Sequence, residues 1–330
     1  MSINLKGRSF LTLNDFTPQE IRYMLDLSHN LKNKKRLGIK GSSLQGKNIV
    51  LLFEKASTRT RCAFEVACYD EGGQITFLDK ASSQMGKKES LKDSARVLGR
   101  YYDGIEYRGF SQQVVEELAK CSGVSVYNGL TDVDHPTQIL ADMQTIEEHV
   151  NKPLSKVKIV YMGDIRNNMS YAWMVGAAKM GMHYVAYGPK ELKVDMQIIN
   201  KANEIAMQTN STIQITSDSS CLQNADVIYT DVWVSMGEED KIEERVKLLS
   251  PYKVTMDTIR NTNNSDVIFL HCLPAFHDFE TEMAREQMDL GNDIREVCDE
   301  VFESDYSKVF DQAENRLHTI KAVLVATIGV

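Results

Sequence analysis

Residues 49–78 read IVLLFEKASTRTRCAFEVACYDEGGQITFL, and the fold class follows from them. Ile49–Phe53 is an apolar run of strand length. A polar turn follows, and Ser57 then opens a helical stretch that runs to Tyr69 and stops near Gly72-Gly73. Ile75–Leu78 is a second apolar strand. A strand, a helix and a strand in succession form a crossover unit, and such a unit joins parallel strands.

The same alternation extends in both directions. Apolar runs recur at Gly104–Tyr107 and Val124–Tyr127 in the first half. In the second half they recur at Val157–Met162, Tyr184–Tyr187, Val227–Val234 and Val267–Leu270, with helical patterns between them. Upstream, Thr17, Pro18 and Glu20 give a helix start, with Thr17 as N-cap, Pro at the first helical position and Glu at the third. The class is therefore α/β, with two doubly wound parallel-sheet domains separated by an interdomain cleft. A long helical run, Thr137–Val150, followed by Asn151-Lys152-Pro153, places the domain boundary. The domains are 1–150 and 151–315, and 316–330 form a terminal helix with apolar residues at helical spacing.

Composition narrows the function. The chain has 330 residues, 38 Lys and Arg against 46 Asp and Glu, and a net charge of −8. An acidic chain of this kind is not a general nucleic-acid binder, which needs a basic surface to displace counterions. No apolar run approaches the roughly 20 residues that span a bilayer. The first residues lack the apolar core of a secretory signal, so a cytoplasmic location is expected. Six cysteines are scattered without any Cys-x-x-Cys pair and read as free thiols. The seven histidines have no metal-ligand spacing, so neither a metal nor an organic cofactor is expected. The question that remains is where an acidic chain uses its arginines.

Ligands of open α/β sheets bind beyond the carboxyl ends of the strands. There the sequence places Ser57-Thr58-Arg59-Thr60, then Ser83-Gln84-Met85-Gly86, Arg108 and His135-Pro136-Thr137-Gln138. In the second half it places Asp164 to Asn168, Asp231, Ser235-Met236-Gly237 and His271-Cys272-Leu273-Pro274. Ser57 to Thr60 stand out. A helix N-terminus presents free N–H groups and a positive dipole end. Two hydroxyls and an arginine added there make an oxyanion cradle, because the planar guanidinium matches phosphate geometry. The plainer reading is a serine cap followed by solvated arginines.

Taken together, Phe53-Glu-Lys-x-Ser-Thr-Arg-Thr-Arg, His135-Pro-Thr-Gln, Ser235-Met-Gly and His271-Cys-Leu-Pro resemble the ornithine carbamoyltransferases. Ser-Thr-Arg-Thr is shared with the aspartate branch, and the last two motifs single out the ornithine branch. The likeness runs through nearly the whole chain, including Gln84-x-Gly-Lys-Lys and Glu314-Asn-Arg-x-His-Thr-Ile-Lys-Ala. It implies the reaction of carbamoyl phosphate with L-ornithine to give L-citrulline and phosphate, in arginine synthesis or in the arginine deiminase route. It also implies a trimer or a multiple of trimers, with the terminal helix returned to the first domain.

On this resemblance Ser57, Thr58, Arg59, Thr60, Arg108, His135 and Gln138 hold carbamoyl phosphate, and Gln84 arrives from a neighbouring subunit. Cys272, Leu273 and Arg316 match positions around the carbamoyl group and the attacking amine. Asn168, Asp231, Ser235 and Met236 match the ornithine site. Arg108, His135, Asp231 and Cys272 carry the catalysis, and Asp231 and Cys272 are both candidates to take the amine proton. Two stretches depart from the family pattern. Ser170-Tyr171-Ala172 stands where relatives have Gly-Asn-Ser, and Tyr171 is one helical turn beyond Asn168, so it either narrows or reshapes the ornithine site or packs against a neighbouring helix or subunit. Asp79 to Ser82 replaces a Gly-Pro-Ser-Gly-like loop before Gln84. The alternatives are a carbamoyltransferase for another amine such as putrescine, or a non-catalytic member of the family.

Overall fold

The computed structural model describes residues 3–234 and 241–330. The chain divides into two compact units, Met1–Gln144 with Glu314–Val330, and Thr145–Ala313.

The first unit contains α1 (Pro18–Arg36), β1 (Asn48–Phe53), α2 (Thr58–Asp70), β2 (Gln74–Asp79), α3 (Leu91–Tyr101), β3 (Gly104–Arg108), α4 (Gln112–Ser122) and β4 (Ser125–Leu130). The cap expected on α1 is present: Thr17 Oγ1 accepts from Glu20 N and Glu20 Oε2 accepts from Thr17 N. The four strands run parallel in the order β2-β1-β3-β4. β1 is buried from Ile49 to Phe53, as an inner parallel strand covered on both faces should be. The Gly72-Gly73 turn after α2 depends on glycine. Gly72 has φ +82°, and a Cβ on Gly73 would stand 2.5 Å from Cys68 Sγ.

Helix α5 (Pro136–His149) carries the chain into the second unit. Then follow β5 (Lys158–Met162), α6 (Asn168–Met180), β6 (His183–Tyr187), α7 (Met196–Thr209), β7 (Thr212–Thr216), β8 (Val227–Thr230), α8 (Ile242–Leu249), α9 (Met256–Arg260), β9 (Ile268–His271), α10 (Glu282–Asp289) and α11 (Asp299–Phe302). The sheet is parallel, in the order β7-β6-β5-β8-β9. The last helix, α12 (Val309–Ile328), begins in this unit and continues from Glu314 as part of the first. Among the described residues no helix is long and apolar enough to cross a membrane.

Three details differ from the sequence reading. β7 is an additional strand. Its Thr-Ile-Gln-Ile-Thr sequence lies on a sheet edge and is mostly exposed, so it lacks the apolar run that marks an inner strand. β8 ends at Thr230 rather than Val234, because Asp231 Oδ1 accepts Val232 N–H and closes a local turn. α12 begins at Val309, before the expected Arg316.

Strand order decides where ligands bind. In each sheet the winding reverses once, between β1 and β3 in the first and between β5 and β8 in the second. Connections leaving two such neighbours diverge to opposite faces and open a crevice at the carboxyl ends.

Candidate active site

At the reversal in the first sheet, Phe53 at the end of β1 pairs with Arg108 at the end of β3. Ser57 caps α2, its Oγ accepting from Thr60 N at 3.2 Å. The first turn of α2 and the Arg108 side chain thus emerge side by side. Thr60 is the meeting point. Its Oγ1 accepts from Arg108 Nη1 at 3.2 Å and from Arg316 Nη2 at 3.1 Å. Arg316 reaches this site from α12, and it also donates to Gln138 Oε1 at 2.6 Å, Thr137 Oγ1 at 3.4 Å and His135 Nε2 at 3.4 Å. Gln138 Nε2 in turn donates to Asp142 Oδ1 at 2.8 Å, which fixes the amide orientation. Thr60, Arg108, His135, Gln138 and Arg316 are all buried, whereas Arg59 is half-buried and Thr58 exposed.

The electrostatics suit an anion. His135 accepts from an arginine at Nε2, so its single proton sits on Nδ1, which is buried without a partner. Burial, then the charges of Arg316, Arg108 and Arg59, push its pKa well below the ordinary value. The ring is a neutral donor beside three cations.

Glu106, in the middle of β3, is fully buried, and neither of its carboxyl oxygens has a hydrogen-bond partner. Burial raises its pKa well above the usual range, against the pull of Arg108 and Arg316. Its space is cut from β4, where a Cβ on Gly129 would stand 1.8 Å from Glu106 Oε1. A carboxyl pushed towards its neutral form neutralises less of the nearby cationic charge.

Gln84 is exposed, in a turn where its carbonyl accepts from Lys87 N and Lys88 N. Among the described residues no hydrogen bond links it to the Thr60 group. The divergent stretch before it closes on itself: Asp79 Oδ1 accepts from Ser82 N and Ser82 Oγ, and Asp79 N donates to Ser82 Oγ.

At the reversal in the second sheet, Asp231 follows β8 and Asn167 caps α6. Asp231 Oδ1 accepts from Cys272 Sγ at 3.1 Å and from Val232 N at 2.8 Å, and its Oδ2 accepts from Asn167 Nδ2 at 3.2 Å. Asn167 Oδ1 accepts from Ser170 N, so one side chain both caps the helix and orients the carboxylate. Asn168 is the first residue of α6, and Leu273 follows Cys272 with φ +58°. Ser235 and Met236 lie outside the described residues.

Tyr171 is half-buried, and its hydroxyl accepts from Asp195 N at 3.4 Å, at the start of α7. Its partner is therefore the N-cap of a neighbouring helix. Among the described residues, two trios of ligand-bearing side chains have their ligand atoms within 4.8 Å of one another: Asp231, His271 and Cys272, and His277, Asp278 and Asp299. In the first, both His271 nitrogens are already engaged, with Leu273 N and Glu296. In the second, His277 Nδ1 is bonded to Asp299 Oδ1 at 2.7 Å.

Sequence reasoning missed Glu106, Thr137 and Asn167 as members of these groups. Glu106 had a usable signal, an acid in the middle of an otherwise buried strand. Thr137 lay within the quoted His-Pro-Thr-Gln motif, and Asn167 stood one position before the residue that was chosen.

Two parallel α/β units thus carry polar groups at the winding reversals of their sheets, one a cationic cradle and the other an acid–thiol pair. The family model for the aspartate/ornithine carbamoyltransferase carbamoyl-phosphate-binding domain matches residues 8–148, and that for the aspartate/ornithine-binding domain matches residues 155–327. The chain belongs to the aspartate/ornithine carbamoyltransferase family. A Clostridium perfringens protein named ornithine carbamoyltransferase, catabolic, is 64% identical over 100% of both chains. An ornithine carbamoyltransferase of Limosilactobacillus reuteri is 55% identical over 100% of this chain and 99% of its own. The solved ornithine carbamoyltransferase of Pyrococcus furiosus superposes with a TM-score of 0.90 at 38% identity, over 99% of each chain.

Proposed function

We infer that the chain is an ornithine carbamoyltransferase, which transfers the carbamoyl group of carbamoyl phosphate to the side-chain amine of L-ornithine. The observation that carries this reading is the Thr60 hydroxyl, held by both Arg108 and Arg316 at the N-terminus of α2.

The phosphate of carbamoyl phosphate sits on the first turn of α2, against Ser57, Thr58, Arg59 and Thr60. Arg108 neutralises it and favours its departure. The amine nitrogen attacks the carbamoyl carbon and an oxyanion develops on the carbonyl oxygen. The C–O bond to phosphate then breaks, and the amine gives up a proton. Donors from Thr60, Arg108, His135, Gln138 and Arg316 stabilise the oxyanion, and loss of one such donor costs about 3–4 kcal/mol. His135 fits this role because its buried Nδ1–H is directed at no protein group.

Ornithine pairs with Asp231 and binds with Asn168, Ser235 and Met236. Asp231, which accepts the Cys272 S–H at 3.1 Å, or Cys272 once it is a thiolate, takes the proton. Orientation and charge stabilisation supply the catalysis.

The same reading makes the enzyme a trimer, or a multiple of trimers, with Gln84 completing a neighbouring copy's site. Support comes from β2, an edge strand whose Ile75, Phe77 and Leu78 are only half-buried, and from the exposure of Gln84 beyond it. A cytoplasmic location suits its free cysteines. The catabolic name of the Clostridium relative favours citrulline phosphorolysis as the direction in the cell.

The test is direct: purified protein given carbamoyl phosphate and L-ornithine should release phosphate and citrulline in equal amounts. Putrescine in place of ornithine should give little product. Absence of citrulline, or equal turnover of putrescine, overturns the reading.

A further inference from the structure

The turn that carries Cys272 and Leu273 is built on two buried side chains that the reaction does not use. His271 ends β9, and its side chain and that of Glu296 are both fully buried. His271 Nδ1 accepts from Leu273 N at 2.9 Å, so Nδ1 carries no proton and Nε2–H donates to Glu296 Oε1 at 3.0 Å. The same Oε1 accepts from Phe276 N at 2.8 Å. One carboxylate therefore ties down the turn at both ends, directly at Phe276 and through His271 at Leu273.

The tie is needed because Leu273 has φ +58°, a conformation that side chains with a Cβ rarely adopt. Glu296 is itself anchored: Val254 N donates to its carbonyl, and Cys298 N donates back to Val254 O. The His271 backbone is held as well, by Gln312 Oε1 at 2.9 Å. Within the clamped turn, Cys272 Sγ rests on Asp231.

We propose that His271 and Glu296 are positioning residues, which set the Cys272–Leu273 turn so that the thiol stays on Asp231 where the ornithine amine reacts. The proposal rests on the ornithine carbamoyltransferase reading. The two residues touch neither substrate. Their effect falls chiefly on kcat and on the ornithine KM, because the phosphate's own cradle at Ser57 to Thr60 and Arg108 is built by other elements.

Four variants separate positioning from general packing. His271→Gln keeps a donor for Glu296 but removes the acceptor for Leu273 N, and His271→Asn does the reverse. Glu296→Gln keeps the Oε1 acceptor, and Glu296→Ala removes it. His271→Gln and Glu296→Ala should lower kcat/KM for ornithine by about 10²-fold, the scale of an ångström misplacement. Their KM for carbamoyl phosphate, whose carbamoyl end also meets this turn, should rise less than their KM for ornithine. Glu296→Gln should remain close to wild type per folded molecule, and His271→Asn, which cuts the link to Glu296 but keeps the acceptor for Leu273 N, should lose less than His271→Gln.

Alkylation of Cys272 by iodoacetamide, read by peptide mass, gives a second measure that needs no turnover. Its rate should change in His271→Gln and Glu296→Ala and not in Glu296→Gln. Wild-type protein that makes no citrulline would refute the functional reading, and the alkylation comparison would still decide the positioning role. Equal losses in all four variants that follow melting temperature, or wild-type turnover and alkylation in Glu296→Ala, overturn the proposal.

Discussion

Arg316→Met removes the side chain on which the carbamoyl phosphate reading depends most, and its effects on folding and on catalysis should separate. Arg316 donates to Thr60, Gln138, Thr137 and His135. Buried acceptors that lose a donor cost about 1 kcal/mol each. Against this, a buried cation beside Arg108 and Arg59 no longer has to be kept out of water, a penalty of several kcal/mol. The two contributions oppose each other at similar size. Folding stability should therefore stay within about 2 kcal/mol of wild type, and the melting temperature should move by only a few degrees.

No such cancellation occurs in the reaction. Both the developing oxyanion and the departing phosphate are negative, and removing one aimed donor from such a site lowers kcat by about 10²–10³-fold. His135 gives an internal check. Burial is the main cause of its depressed pKa and Arg316 the largest of the charge contributions, so the ring should titrate at higher pH in the variant. Steady-state citrulline formation, thermal melting and imidazole titration by NMR cover the three expectations. Arg316→Met with kcat within about threefold of wild type would refute the assignment. So would an activity loss that only follows the loss of folded protein.

Further predictions concern titration and assembly. Glu106 has a folded pKa raised by burial, so the folded chain binds its proton more tightly, and stability falls as pH rises above the unfolded carboxylate value near 4.3. Glu106→Gln should flatten that decline in urea unfolding compared at pH 5 and pH 8, and an unchanged slope would count against a protonated Glu106. His318 is pushed down to about 4, chiefly by burial. The unfolded chain therefore takes up this proton first, and stability present above about pH 6.5 is lost towards pH 4, by no more than roughly 2–3 kcal/mol after screening. His318→Gln should remove that acid sensitivity, as followed by unfolding at pH 4.5 and pH 7. If Gln84 serves a neighbouring copy, mixing and reassembling inactive Gln84→Ala and Arg316→Met chains should restore activity, because some interfaces pair an intact Gln84 with an intact Arg316. No recovery on reassembly would place Gln84 within its own subunit or outside the site.

What the sequence made legible follows from which interactions are local. The cap on α1, the strand β1 and the Ser57 cap on α2 depend on neighbours within a few positions, so residue order alone determines them. Strand order does not, because a parallel crossover can return to either side of the strand it left. Yet it is the order β2-β1-β3-β4 that sets Arg108 beside the α2 N-terminus. Arg316 lay even further from inference by spacing. It is brought to Thr60 across 256 positions of sequence, and only the resemblance to a family pointed to it.

The chain's acidity hid this site rather than describing it. A net charge of −8 sums mostly exposed groups, whereas the charges that matter for an anion are the few removed from water. Arg108 and Arg316 are buried with neutral oxygens among their acceptors, next to an acid whose pKa burial raises and a histidine whose pKa burial lowers. Solvent screens exposed carboxylates within about 10 Å, so the surface excess does little to offset a buried positive cluster. On the ornithine carbamoyltransferase reading, this is how an acidic protein holds a dianion.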